Sequence, residues 1–251
     1  MLIGGLEVGI GHPTRIVAEL GTLHHHQGID GLMLATRDAF NAGADYVKTQ
    51  FITPRLAWWA NTFQRQRYMR LYRLFPKEAW KDYIISANKD YPGRVFASMF
   101  DEETIKEFGP LMPAIKIAFI ARNKRDLIDS ALSLNKPIII SLSNDYTSKR
   151  LLSNDIYHRP NILRLWVQSQ YPLIDERALL PFFGHVYHGL SVHSNNMSLF
   201  AGSMVMGARM IEVHVQGTEA SGADTKFALT MDELKRVCGV RGILSSFTPP
   251  I

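Results

Sequence analysis

Two histidines, His193 and His214, stand where short apolar runs end, in Gly-Leu-Ser-Val-His (189–193) and Arg-Met-Ile-Glu-Val-His (209–214). Between them, residues 195–207 (NNMSLFAGSMVMG) are small and apolar enough to form a buried helix closing on Gly207. Strand, helix, strand is a parallel crossover unit, which brings both imidazoles to the same rim of one sheet. Neighbouring strand ends lie about 5 Å apart, so two rings there can reach one metal ion. An arbitrary histidine pair is more often structural. The matched position on consecutive strands is what points to ligation.

The ends of the other β-rich runs carry a similar chemical load. They hold Glu19, Lys48 with Gln50, Ser98, Lys116, Ser141, Ser169 with Tyr171, Ser191 and Glu212. Taken singly, a strand-end lysine often snorkels to water and a strand-end serine often caps the next helix. Taken together, two lysines, several hydroxyls, carboxylates and two histidines would suit a phosphorylated anion bound beside a divalent metal.

These groups need a scaffold that gathers strand ends. Eight β-rich runs recur: Arg15–Leu20, Tyr46–Gln50, Arg94–Ser98, Ala114–Ala118, Pro137–Ser141, Ile162–Val167, Val186–Ser191 and Met210–His214. Helical patterns fall at 31–42, 65–89, 102–108, 124–134, 179–183, 195–207 and 230–241. Alternation of this kind predicts a parallel sheet, and eight repeats predict closure into a (β/α)8 TIM barrel, a class whose active sites lie at the C-terminal strand ends. A glycine-rich stretch, residues 4–13, reads as a short N-terminal hairpin plugging the barrel floor. No linker divides the chain, so one barrel domain is expected over residues 1–251. Within the long 53–91 connection, Arg67, Arg70 and Arg73 share one helix face, which reads as solvated rather than as an RNA-binding patch.

Composition sets outer bounds. Lys and Arg outnumber Asp and Glu by 28 to 23, a net +5 that suits an anionic substrate without requiring one. One cysteine, Cys238, excludes an internal disulfide framework. No apolar run approaches the roughly 20 residues of a membrane span, and the N-terminus lacks a secretion signal, so a cytoplasmic chain with no membrane partner is expected.

The chain resembles the sialic acid synthases, the N-acetylneuraminate synthase group with its pseudaminic and legionaminic relatives. The motifs that carry the resemblance are Ile-Val-Ala-Glu-Leu-Gly (16–21), Ala-Gly-Ala-Asp-Tyr-Val-Lys-Thr-Gln (42–50), Ser-Met-Phe-Asp-Glu-Glu (98–103), Ile-Lys-Ile-Ala (115–118) and Lys-Pro-Ile-Ile-Ile-Ser (136–141). They continue in order with Tyr-Pro (171–172), Gly-Leu-Ser-Val-His (189–193), Gly-Ala-Arg-Met-Ile-Glu-Val-His (207–214) and Gly-Ala-Asp-Thr-Lys-Phe-Ala (222–228). The resemblance implies a condensation of phosphoenolpyruvate with an N-acylated amino sugar, giving a 2-keto sugar acid and phosphate. It implies a divalent metal, manganese or else magnesium, on His193 and His214. Lys48 and Lys116 match the lysines that bind phosphoenolpyruvate, and Glu19 the acid that manages protons and the attacking water. Ser98, Ser141 and Ser191 match hydroxyl positions around the same ligand. Gln50, Tyr171, Glu212 and Asp224 match positions lining the metal and sugar pocket.

Several departures are visible. The loop after the first strand carries His24-His25-His26 with one extra residue, Phe119 stands where the family places a phosphate-binding serine, and Ser169 replaces a frequent asparagine. The family continues into an antifreeze-like domain that lends an arginine to the partner's site; this chain is expected to lack it, so that a cap would come from a separate chain, and a homo-oligomer is a further expected partner. Two readings follow: a barrel-only synthase-like transferase, or an impaired barrel serving as a binding or structural subunit. The five polar groups Glu19, Lys48, Lys116, His193 and His214 favour the first, while Phe119, the altered loop and the missing cap favour the second.

Overall fold

The computed structural model describes residues 1–21, 24–54, 56, 62–168, 173, 178–217 and 225–246. A two-residue hairpin, β1 (Leu2–Ile3) and β2 (Leu6–Glu7), precedes β3 (Arg15–Gly21), α1 (His24–Asn41), β4 (Tyr46–Gln50), α2 (Thr62–Leu74) and α3 (Lys77–Asp90). Then come β5 (Val95–Met99), α4 (Glu102–Phe108), β6 (Ile115–Ile117), α5 (Arg125–Ser133), β7 (Ile138–Leu142) and α6 (Tyr146–Leu152). The chain continues with β8 (Ile162–Trp166), β9 (Gly189–Val192), α7 (Met197–Val205), β10 (Met210–His214) and α8 (Met231–Ser246).

Strands β3 to β10 are all parallel and close in the order β10-β3-β4-β5-β6-β7-β8-β9. The fold is therefore the (β/α)8 TIM barrel read from the sequence. Runs such as Ile138–Leu142 and Ile162–Trp166 are buried along their whole length, because helices cover the outer face and side chains fill the inner one. Parallel register aligns residues on a common face: Glu19 with Lys48, Ser98 with Lys116, and Ser191 with Glu212. At Gly189 the strands approach so closely that a Cβ would fall 1.9 Å from the Met210 carbonyl oxygen.

The hairpin closes the N-terminal end of the barrel. Tyr46, first in β4, donates its hydroxyl to the Ile3 carbonyl at 2.8 Å, and Arg15 donates to the Glu7 carbonyl at 2.9 Å. Gly4 and Gly93 pass backbone to backbone with φ of 50° and 68°, a contact that a side chain on either would block.

Two sequence expectations need correction, and one helix had no sequence signal. The helical pattern over 65–89 is two helices, since Pro76 disfavours helical backbone at Phe75 and begins a new turn. Residues 179–183 are not helical: Leu179 exchanges hydrogen bonds with Trp166 and Gln168, and Phe183 bridges Tyr187. Helix α6 escaped the pattern because its seven residues, YTSKRLL, are mostly polar. Its start is set instead by Asp145, whose carboxylate accepts from Ser148 N at 2.6 Å.

Candidate active site

The C-terminal half of the barrel interior holds four buried charges. Glu19 and Lys48 stand side by side on β3 and β4, Lys116 on β6 and Glu212 on β10, each no more than 4% exposed. Lys48 pairs with Glu19 Oε2 and lies 3.4 Å from Glu212 Oε1. Lys116 Nζ lies 3.7 Å from Glu212 Oε2. Two ammonium groups and two carboxylates make a cluster of no net charge, and this balance is what makes its burial tolerable.

The strand-end serines serve this cluster. Lys48 donates to Ser98 Oγ at 2.9 Å and Lys116 to Ser141 Oγ at 2.7 Å. Ser191 donates to Glu212 Oε1 at 3.0 Å. Glu19 Oε1 accepts from Gly21 N at 2.6 Å, which fixes the carboxylate at the point where β3 bulges away from β4. Burial pushes the Lys116 ammonium below its ordinary value, with the charge of Glu212 opposing that shift. For Glu212, burial acts upward, but Lys116 and Lys48 outweigh it and hold the carboxyl well below the usual range.

Above this layer sit the imidazoles. His193 follows β9 and His214 ends β10, with ring centroids 4.4 Å apart and planes inclined by 33°. Phe227 meets both rings edge-on, at 5.3 and 6.1 Å. Two imidazoles so placed fit a six-coordinate divalent ion that keeps oxygen ligands elsewhere, better than a closed four-ligand zinc site. Among the described residues no group of three or more metal-ligating side chains occurs.

The structure thus brings together Glu19, Lys48, Lys116, Ser98, Ser141, Ser191 and Glu212, with His193 and His214 at the rim and Gln50 beside Ser98 in register. Tyr171, Ser169 and Asp224 lie outside the described residues, as do the side chains of the His24–His26 triplet and Arg67. Arg70 and Arg73 are exposed. Two features escaped the sequence. Phe227 walls the imidazole pair, and only its place in the 222–228 motif signalled it. Arg122 packs its guanidinium 3.7 Å over the Phe119 ring and is held by Asp145 at 2.6 Å and Ser148 at 3.2 Å. Phe119 opens the turn after β6, so the expected hydroxyl position carries a phenyl ring under a guanidinium.

Solved structures share this fold. An N-acetylneuraminic acid synthetase from Leptospira borgpetersenii serovar Hardjo-bovis, in complex with citrate, superposes with a TM-score of 0.84 at 19% identity, covering 100% of this chain and 92% of that one. A spore coat polysaccharide biosynthesis protein from Bacillus subtilis gives 0.80 at 23% identity over 100% and 75%. A phospho-2-dehydro-3-deoxyheptonate aldolase from Thermotoga maritima gives 0.70 at 17% identity over 97% and 71%. No curated protein matches the chain significantly in sequence. The NeuB family profile matches residues 35–245, which takes in β4 through β10 and all the polar strand ends but Glu19; on that match the chain belongs to the NeuB family.

Proposed function

We propose that the barrel mouth condenses phosphoenolpyruvate with the open-chain aldehyde of an N-acylated amino sugar, giving a 2-keto sugar acid and phosphate. The observation that carries this reading is the pair of buried ammonium groups, Lys48 and Lys116, inside the barrel whose rim carries the paired imidazoles of His193 and His214. Membership of the NeuB family supports it. In a water-poor barrel, two preorganised cations are strong hosts for the carboxylate and phosphate of one small anion. Ser98 and Ser141 hold the ammonium groups in place, and the neighbouring hydroxyls and Gln50 line the same space. Tyr171 and Asp224 belong to the same proposed pocket by their motif positions.

The methylene carbon of phosphoenolpyruvate forms the new bond to the aldehyde carbon, whose oxygen takes up a proton. Positive charge develops at the enol carbon, where the carboxylates Glu19 and Glu212 stabilise it. Water adds to that carbon and passes one proton through Glu19 to the former aldehyde oxygen, and its second proton departs with the phosphate. The carbon–oxygen bond to phosphate then breaks, phosphate leaving with the electron pair as the hydroxyl becomes the new ketone. A manganese or magnesium ion on His193 and His214 would supply Lewis-acid polarisation of the aldehyde oxygen.

The test is phosphate release with phosphoenolpyruvate, manganese and a panel of N-acylated amino sugars that includes N-acetylmannosamine. Turnover with one acceptor, lost in Lys116→Met, is the expected result. Calorimetric binding of phosphoenolpyruvate without turnover on any acceptor would favour the second reading, a barrel retained as a binding subunit, for which Phe119 in the phosphate subsite is the specific observation. Neither binding nor turnover overturns both.

A further inference from the structure

The opposite end of the barrel holds a second polar site. A cavity of about 380 Å³ lies between the N-terminal hairpin and the beginnings of β8, β9 and β10. Its charged lining is cationic, Arg159, Arg164 and Arg209 beside the imidazoles of His158, His185 and His188, with no acidic residue among the described residues that line it. Met1 also borders it, with its terminal ammonium donating to the Val8 carbonyl at 2.8 Å. Cationic residues gathered around a cavity without a carboxylate contrast with the mouth, where every buried charge has a counter-charge.

Two details show hydrogen-bond donors in excess. His188, 8% exposed, faces the Arg164 backbone N–H with Nδ1 at 3.2 Å and the Arg164 guanidinium with Nε2 at 2.9 Å. A neutral imidazole has one N–H and one acceptor nitrogen, so one side of the ring must set a donor against a donor. The buried Nε of Arg209 has no acceptor among the described residues, although Nη2 donates to the Gly184 carbonyl at 3.0 Å. Arg164, only 3% exposed, already spends its guanidinium on the carbonyls of Tyr157, His185 and Val186. It therefore fixes the cavity wall together with His188, and leaves Arg159, Arg209 and His185 to meet a ligand. Burial, together with the charges of Arg164 and Arg209 and with His158 and His185, drives the His188 ring down to about 3.

We propose that this floor cavity binds the phosphoryl group of a small phosphorylated metabolite, separately from the barrel mouth. An oxyanion offers acceptors only, which matches the donor excess, and the volume admits a sugar-sized phosphate monoester. The assignment stands on the floor residues alone and does not depend on the chemistry proposed at the mouth. It also reaches the mouth structurally. His188 precedes the strand that leads to His193, and Arg209 precedes the strand that ends at His214, each five residues or about 16 Å away. An anion seated here braces the two strands that carry the imidazole pair.

The experiment titrates inorganic phosphate, and separately glycerol 3-phosphate, into the intact chain at constant ionic strength. It follows thermal unfolding and the ¹⁵N-resolved imidazole resonances of His185 and His188. Saturable shifts of both rings are expected with either probe, and tighter binding of glycerol 3-phosphate would identify a monoester rather than free phosphate as the ligand. Arg159→Ala with Arg209→Gln should weaken binding at this position by roughly 10- to 100-fold, the loss typical of a charge-assisted hydrogen bond. Arg159 is exposed, so Arg159→Ala alone gives a folded variant if the double one fails, and it should show a smaller weakening in the same direction. Absence of saturable shifts at His185 and His188 overturns the proposal. So does phosphate binding of unchanged affinity in the variants, because the anion then sits elsewhere, such as at Lys48 and Lys116.

Discussion

Replacing Lys116 by methionine separates the anion-binding role of the buried cluster from its structural role. The side chain is 2% exposed, donates to Ser141 at 2.7 Å and lies 3.7 Å from Glu212. Methionine keeps most of the volume and removes the charge, taking the cluster from zero to −1. Stranding one partner of a buried ion pair costs about 3–5 kcal/mol. Glu212, however, retains Lys48 at 3.4 Å and the Ser191 hydroxyl at 3.0 Å, and the desolvation of the ammonium is relieved. The net loss should therefore be smaller, about 1–3 kcal/mol, which lowers Tm by roughly 2–12 °C in a chain of this size. Phosphoenolpyruvate should lose a charge-assisted contact of about 1.5–3 kcal/mol and bind roughly 10- to 100-fold more weakly. Thermal unfolding and calorimetry with manganese present measure the two effects. A pH series adds a sign. The folded-state value of Lys116 lies below the unfolded 10.5, so the unfolded chain holds the proton longer. The wild type should then gain stability as pH rises through the lowered value toward 10.5, and Lys116→Met should lack that gain. A folded variant that binds phosphoenolpyruvate within twofold of wild type would refute the assignment of Lys116 to the anion.

Four further outcomes are expected. His193→Ala or His214→Ala should abolish manganese binding, read by electron paramagnetic resonance, with little change in Tm; unfolding in either variant would mark the pair as structural. Phe119→Ser should tighten phosphoenolpyruvate binding by up to about tenfold while giving up about 0.5–1 kcal/mol of the contact with Arg122, and unchanged affinity in calorimetry would show that this turn does not meet the phosphate. Gly189→Ala puts a methyl 1.9 Å from the Met210 carbonyl oxygen and 2.9 Å from Leu165 Cδ2, so a loss of about 3 kcal/mol is expected in denaturant unfolding; near-wild-type stability would contradict the close approach of β9 and β10. His188 has its folded-state value depressed from 6.5 to about 3, so its contribution is whole above pH 6.5 and is lost as pH falls from there toward 3. In phosphate-free buffer, His188→Gln should remove up to about 1.4 kcal/mol per pH unit of that acid-side loss, and parallel stability profiles for the two chains would refute it.

Barrel architecture was readable because its signals are local and repeated. Tyr46–Gln50 and Met210–His214 fall where the apolar runs place them, and period and composition suffice for buried parallel strands. Strand polarity then puts Glu19, Lys48, Lys116 and Glu212 toward one end without any coordinates. Helix α6 was invisible, since its start depends on one carboxylate cap and its seven residues lack an apolar period. The pairing inside the cluster was equally out of reach. Closure joins β10 to β3 and sets Glu212 between lysines from β4 and β6, more than ninety residues away in the chain. Linear spacing could offer those lysines to a ligand, but only the closed barrel shows that each already faces a carboxylate and a serine hydroxyl. The floor cavity is the extreme case, because His188, Arg164 and Arg209 come from three separate strands or strand leads, and the one motif among them, at Arg209, speaks only of the opposite end. Residue types and periodicity thus determine which end of the barrel has polar groups. Their partners, and the excess of donors beneath, arise from long-range closure, in which each charge is set by neighbours that the linear chain holds far apart.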